Sequence, residues 1–299
     1  MTETGDEPVV AMTQSLAERR RETVQRCADE SARLRQRLLF GMTTSLTLQS
    51  IPLPSRCDLD MDALHTTSST GAKRVRSKAA TSVPHVWKHL NGDSSARIRS
   101  NVYALDLLHT WAQLSSHVPL DDLVALGDAM LANEERLSLS EFAGFLERIP
   151  YFKGKPSCRL ALRLMTPNMR SPMESKTMLV LRRHGIPRPE ANYTVPGAKF
   201  GSGASMTLDL AWPEYLVAVE YDGDHHRTDR RQWRRDKEKR MLLRGQHWMI
   251  LEITADALSN DVACAEFAFR VARQLAERGL DCDFRLIAMS VEELARSVR

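Results

Sequence analysis

The stretch that most limits the fold is residues 205–226, Ser-Met-Thr-Leu-Asp-Leu-Ala-Trp-Pro-Glu-Tyr-Leu-Val-Ala-Val-Glu-Tyr-Asp-Gly-Asp-His-His. Two apolar runs, 206–212 and 216–221, flank Pro213-Glu214, and a proline that presets the backbone for a turn makes this a β-hairpin. Acids interrupt both arms. Side chains alternate along a strand, so Glu220 and Asp222 project one way and Val217, Val219 and Tyr221 the other. With Pro213 and Glu214 as a two-residue loop, Asp209 falls opposite Ala218 and diagonal to Glu220, roughly 7 Å away on the same face.

Three carboxylates at the end of an apolar hairpin repel one another and lose hydration unless a positive charge compensates. A divalent cation held by oxygen ligands is the usual solution. Gly223 permits a sharp turn after the acids, and His225 and His226 follow within reach of a metal or of a water near it. The competing reading is a solvent-facing hairpin with ordinary surface acids, which leaves the basic stretch that follows without a purpose.

The pattern Asp209, Pro213-Glu214, Val219-Glu220-Tyr221-Asp222-Gly223 and His226, continued by Asp236, Arg240, Leu243, Gly245 and the run 248–253, resembles the DUF559 family. That family is a branch of the restriction-endonuclease-like PD-(D/E)XK superfamily, akin to the very-short-patch-repair endonucleases. The resemblance covers roughly residues 171–278. It implies an α/β fold with a small mixed sheet flanked by helices, and a metal-dependent DNA endonuclease or nickase using Mg²⁺ or Mn²⁺. Asp209, Glu220 and Asp222 become the candidate metal ligands, and His226 a general base or a group that orients one. The superfamily also often places an acid on the first core helix in the metal site, which here is Glu174. Its lysine two residues after the second acid is replaced by Asp222, so another cation, Lys176, Lys237 or His226, must compensate.

The rest of the chain bounds the reading. With 299 residues and 42% hydrophobic content there is room for two domains. A net charge of +4 is too small to argue for nucleic acid, so the distribution of charge must carry that case. No run approaches the length of a membrane span, and the acidic start lacks the pattern of a signal peptide. Five scattered cysteines, with no Cys-x-x-Cys pair, predict reduced thiols and a cytoplasmic protein.

In chain order, 1–14 reads as a disordered tail and 15–39 as an arginine-rich helix with Ser15 and Glu18 as a capping box. An α+β domain over 15–150 follows, with a short helix or strand at 41–49, strands at 63–68, 82–89 and 96–103, and helices at 105–115, 120–132 and 140–148. Lys73, Arg74, Arg76 and Lys78 form a basic loop within it. The segment 38–149 is similar to the non-nuclease part of actinobacterial proteins related to AbiEi-type antitoxins, through Leu39-Phe40-Gly41-Met42-Thr43, Ile51-Pro52-Leu53-Pro54 and the run 121–128. That similarity implies a cognate toxin or other protein as a partner beside DNA. Too few residues precede the segment for a complete winged helix.

The endonuclease-like domain spans 157–279. It begins with a short basic helix at 157–164 and a helix from Ser171 to His184, where Ser171, Pro172 and Glu174 make a capping box that accounts for Glu174 structurally. A strand at 191–195 and the hairpin come next. Residues 228–244 predict a helix carrying Arg230, Arg231, Arg234, Lys237 and Arg240, which with Arg227 form a basic surface for a phosphate backbone; Trp233 on it stacks on a base or packs. A strand at 247–253 and a helix at 255–278 complete the domain, and 280–299 reads as an appended extension. A catalytically inactive DNA- or partner-binding regulator is the alternative function. Hydrolysis of a small phosphate ester is disfavoured by the lack of a Gly-rich phosphate loop.

Overall fold

Glycine and proline placement, capping residues and alternation set ten helices and nine strands among the described residues of the computed structural model. It describes residues 7–74, 81–222 and 230–298, and the side chains of 15–74, 81–222 and 235–298. The fold is mixed α/β and divides into two units, one over residues 11–165 and one over residues 166–298. Among the described residues no helix is long and apolar enough to cross a membrane. All five cysteines are free thiols.

In the first unit, α1 (Glu7–Leu34) begins well before Ser15, so the expected tail and capping box give way to continuous helix from residue 7. α2 (Met42–Leu48) resolves the helix-or-strand ambiguity of that segment. A five-stranded sheet is ordered β3-β2-β1-β5-β4, from β1 (Leu39–Phe40), β2 (His65–Ser68), β3 (Val83–Val86), β4 (Ser95–Arg99) and β5 (Val102–Leu105). The strand expected over 96–103 is two strands, because Asn101 takes a left-handed φ of 63° and reverses the chain between them. Helices α3 (Leu107–Leu114), α4 (Leu120–Asn133), α5 (Leu139–Arg148) and α6 (Lys155–Leu164) follow. α6 packs on α4 and α5 and belongs to this unit, whereas the expected endonuclease-like domain began at residue 157.

Two buried polar networks hold this unit. Glu30, 2% exposed, accepts the backbone N–H of Thr81 (3.0 Å) and Ser82 (3.2 Å) and both their hydroxyls, and pairs with Arg33. It fastens the chain just after the basic loop, of which Lys73 and Arg74 are described and Arg76 and Lys78 lie outside the described residues. Asp106 Oδ2, His109 Nδ1 (2.5 Å) and Ser94 Oγ (3.4 Å from Nε2) line up in the order of a catalytic triad. Ser94 is 1% exposed and its hydroxyl is committed to Asn91, so this network is structural.

The second unit is built on a four-stranded sheet in the order β6-β7-β8-β9: β6 (Glu190–Lys199), β7 (Ser205–Trp212), β8 (Val217–Tyr221) and β9 (Met249–Ile253). The first three are antiparallel neighbours, and β9 runs parallel to β8. A parallel pair needs a crossover, and α8 (Arg230–Gly245) lies in it. Helices α7 (Pro172–Arg183) and α9 (Asp261–Ala276) pack Met178, Leu181, Phe267, Val271 and Leu275 against Leu210, Val217 and Val219. Leu243 of α8 packs instead with Ala211, Ala218 and Trp248. Both faces are thus covered, and alternation along β8 sends Val219 to the α7–α9 side and Glu220 to the α8 side.

Two sequence expectations change here. The helix expected over 255–278 is a 3₁₀ turn, Ala255–Leu258, followed by α9, because the Asn260 side chain caps a fresh start by accepting the N–H of Ala263. The segment after 280 is no appendage. Gly185 (φ 84°) ends α7 so closely against Asp283 that an added Cβ would lie 2.0 Å from its carbonyl oxygen. Arg285 N–H donates to His184 O (2.9 Å) and Met289 N–H to Arg183 O (3.0 Å), fixing the chain that leads to α10 (Val291–Ser297).

Candidate carboxylate site

The turn between β7 and β8 is longer than two residues. Pro213–Tyr215 forms a 3₁₀ turn and Leu216 adopts a left-handed φ of 50°, so Ala211 pairs with Ala218 and Leu210 with Val219. Ala218 is thus the partner of Ala211, not of Asp209 as expected. The paired register ends at Leu210 and Val219, and Asp209 and Glu220 are the next residues on their strands, near enough for Asp209 to repel the Glu220 carboxylate. Asp209 Oδ2 also accepts the backbone N–H of Tyr221 at 2.9 Å, which ties its carboxylate to β8.

Glu174 enters from the first turn of α7. Ser171 caps the helix by accepting Glu174 N–H (3.2 Å), but the reciprocal half of the expected capping box is absent. The Glu174 carboxylate, 7% exposed, turns to Arg170 N–H (2.9 Å) and to Asn192 Nδ2 (2.9 Å) on β6. Burial, and then repulsion from Asp209, push its carboxyl up to about 7. On the other side of Asp209, burial pushes Glu220 up to about 7 against the pull of Lys239, with Asp209 and Asp236 adding repulsion. Asp209 is therefore electrostatically linked to both glutamates, which come from different elements.

A cation that compensates Glu220 is Lys239. Its Nζ donates to Glu220 Oε1 from α8, and both side chains are largely covered. Lys237 is exposed. A signal for Lys239 was present in the sequence, since it lies one helical turn before the buried Leu243 and so faces the sheet. Glu252 was also missed: it is the register partner of Glu220 on β9 and pairs with Arg240 at 3.0 Å. That pairing engages Arg240, one of the residues assigned to phosphate.

Asp222 is exposed at the end of β8, where its N–H donates to Ile253 O (2.8 Å). His225, His226 and Arg227 lie outside the described residues; Arg230, Arg231 and Arg234 lie in α8 with their side chains outside the described set, as does that of Trp233. Among the described residues no three His, Cys, Asp or Glu side chains are gathered tightly enough to hold a metal ion as they stand. A cation such as Mg²⁺ asks less, because it keeps several waters and binds through one or two carboxylates. Asp209 and Glu220, the latter raised in pKa by burial and by repulsion from Asp209, suit that demand.

No protein-family model matches the chain, and no solved structure does. Two proteins of Mycobacterium tuberculosis, "Uncharacterized protein MT2308" of strain CDC 1551 / Oshkosh and "Uncharacterized protein Rv2248" of strain ATCC 25618 / H37Rv, are each 32% identical over 105 residues. The match takes in 35% of this chain and 37% of each relative, so it spans little more than a third of the proteins it resembles.

Proposed function

We propose that the second unit is a metal-dependent phosphodiesterase acting on DNA in the cytoplasm, an endonuclease or nickase with a restriction-endonuclease-like core. The observation that carries this reading is a cluster in which Asp209 repels both the Glu174 and the Glu220 carboxylates while Lys239 pairs with Glu220. Four charged groups from four elements converge where a surface hairpin would have none. Asp209 and Glu220 would hold Mg²⁺ or Mn²⁺, with Glu174 behind them and Asp222 at the rim. Such an ion supplies Lewis acidity at a phosphoryl oxygen and lowers the pKa of water.

The protein side chains have separate tasks. Lys239 neutralises part of the acid charge, so that a phosphodiester can approach a cluster that would otherwise repel it. Asn192 and Arg170 N–H orient the Glu174 carboxylate. The arginines of α8, Arg230, Arg231 and Arg234, together with Arg227 and Lys237, are the proposed backbone-phosphate contacts, and His226 the proposed proton acceptor.

One observation favours a second reading. The Lys239–Glu220 ion pair satisfies the acid without a metal, as a catalytically inactive regulator that holds DNA or a toxin-like partner would require. Cleavage of supercoiled plasmid and of mismatched duplex in Mg²⁺ or Mn²⁺ separates the two. Activity lost in both Asp209→Ala and Glu220→Ala supports the nuclease. Metal-independent DNA binding with no cutting of either substrate sinks it.

A further inference from the structure

Asn192, near the start of β6, holds a backbone conformation that strands avoid. Its φ is 48°, in the left-handed region, which Asn tolerates better than most side chains but where only glycine is free of strain. Such strain persists where the surroundings impose it, and it gathers at functional sites. The pairs on either side, Ala191 with Leu210 and Tyr193 with Leu208, keep one register, so Asn192 falls opposite Asp209. Its side chain reaches a second acid of the cluster, since Nδ2 donates to Glu174 Oε2 at 2.9 Å.

The partners of the amide fix which way round it sits. The end that lies 2.6 Å from Asn168 O and 2.9 Å from Glu174 Oε2 faces two acceptors, so it must be the nitrogen. Oδ1 is left buried, with no hydrogen-bond donor on it among the described residues. Folded chains keep few buried acceptors in that condition, and each one asks for a reason.

We propose that Asn192 Oδ1 is a neutral oxygen donor of the cation site, offered to Mg²⁺ or Mn²⁺ or to a water in the shell of the ion; this rests on the reading that Asp209 and Glu220 hold that ion. Hard divalent cations take amide carbonyls and waters alongside carboxylates. Asp209 already repels Glu174 and Glu220, and a further carboxylate at 192 would add to that repulsion, whereas an amide adds an oxygen without a charge. The same amide holds Glu174 through its nitrogen, so one side chain ties the acid of α7 to the ion.

The test is Mn²⁺ binding by the full chain, followed at pH 8 through the electron paramagnetic resonance signal of the free ion. Wild type should bind at a site that Asp209→Ala abolishes. Asn192→Gly, which accepts a left-handed φ without strain, should fold like wild type by circular dichroism and bind Mn²⁺ at least tenfold more weakly, the range seen when a group supporting a metal site is lost. The same loss should appear when Asn192→Gly is added to Glu174→Ala. Asn192→Asp with Glu174→Gln exchanges acid and amide, keeps an oxygen in place of Oδ1 and a hydrogen bond between the two side chains, and should recover most of the affinity. Wild-type affinity in Asn192→Gly overturns the proposal and leaves the carboxylate reading standing. So does an effect that vanishes in the Glu174→Ala background, because Asn192 then acts only by holding Glu174, and so does an exchange variant as weak as Asn192→Gly. A wild-type chain without a Mn²⁺ site sensitive to Asp209→Ala overturns both.

Discussion

Lys239 Nζ donates to Glu220 Oε1 from the crossover helix, so one acid of the cluster carries a counter-charge that the protein itself provides. If that lysine acts on the reaction, Lys239→Ala should lower metal-dependent cleavage by about 100-fold or more, the range seen when a preorganised charge is removed from a reacting phosphate or oxyanion. Without Lys239, Glu220 also loses the interaction that lowers its pKa, so residual activity should move to higher pH. A pH–rate profile that is the same in both proteins would remove Lys239 from the site.

Stability should respond to pH through the same acids. Glu174 and Glu220 are held up to about 7 in the folded chain, against 4.5 for the free group. Between those values the unfolded state releases protons that the folded state keeps. Their contribution is therefore complete below about 4.5 and is lost as pH rises through 7. His85, pushed down to about 4 mainly by burial, has the opposite slope between about 4 and 6.5, so the comparison must isolate the glutamates. Glu220→Gln should flatten the decline in melting temperature between pH 5 and 8 measured in chelator. Mg²⁺ should raise the wild-type melting temperature most at pH 8, because binding requires the ionised carboxylate.

Glu174→Gln should separate structure from chemistry. The Ser171 cap needs only the backbone N–H of residue 174, and an amide oxygen still accepts from Asn192 or Arg170. The variant should match or exceed wild-type stability at pH 8 by about 1 kcal/mol, since it removes a buried charge beside Asp209. A cleavage rate reduced roughly tenfold or more at that unchanged stability would assign the acid to the site. Wild-type rates would leave Glu174 a helix-end residue only.

The basic helix makes a different prediction. Arg230→Ala with Arg234→Ala should reduce the slope of log affinity for DNA against log salt by roughly one to two units, since each lost phosphate contact removes about 0.9. Arg240→Ala should change it less, because Arg240 is already paired with Glu252. An unaltered slope in the double variant would take α8 out of the DNA surface.

In the first unit, Glu30→Ala should be strongly destabilising, by about 3 to 5 kcal/mol, because it strands Thr81 and Ser82 N–H groups and leaves Arg33 without its acid. Urea denaturation of the full chain, followed by tryptophan fluorescence, would read this loss. A cost within 0.5 kcal/mol would mean that water replaces the carboxylate at no penalty.

Alternation and punctuation made much of the architecture legible before any coordinates. The β7–β8 arms, the Ser171 start of α7 and its stop at Gly185 each follow from local rules. The register did not, because nothing in Pro213-Glu214 announces that Leu216 takes a left-handed conformation and lengthens the turn. Lys239 was legible only through its spacing from Leu243. In a helix crowded with cations, only the position of Leu243 says which of them faces inward, and that depends on burial that composition does not report. The same is true of Asn192, an ordinary β-strand residue until Glu174 arrives beside it.

The order of elements along the chain also sets a sequence of events in time. Glu174, Asp209 and Glu220 all leave the ribosome before Lys239, on a helix and two strands that precede the crossover. Lys239 and β9 both come after the acids in the chain, so the counter-charge of Glu220 and the parallel neighbour of β8 are supplied by the same later segment. A chain cut before α8 would carry all three acids without that lysine, and its charged centre would be incomplete although most of the unit had been made.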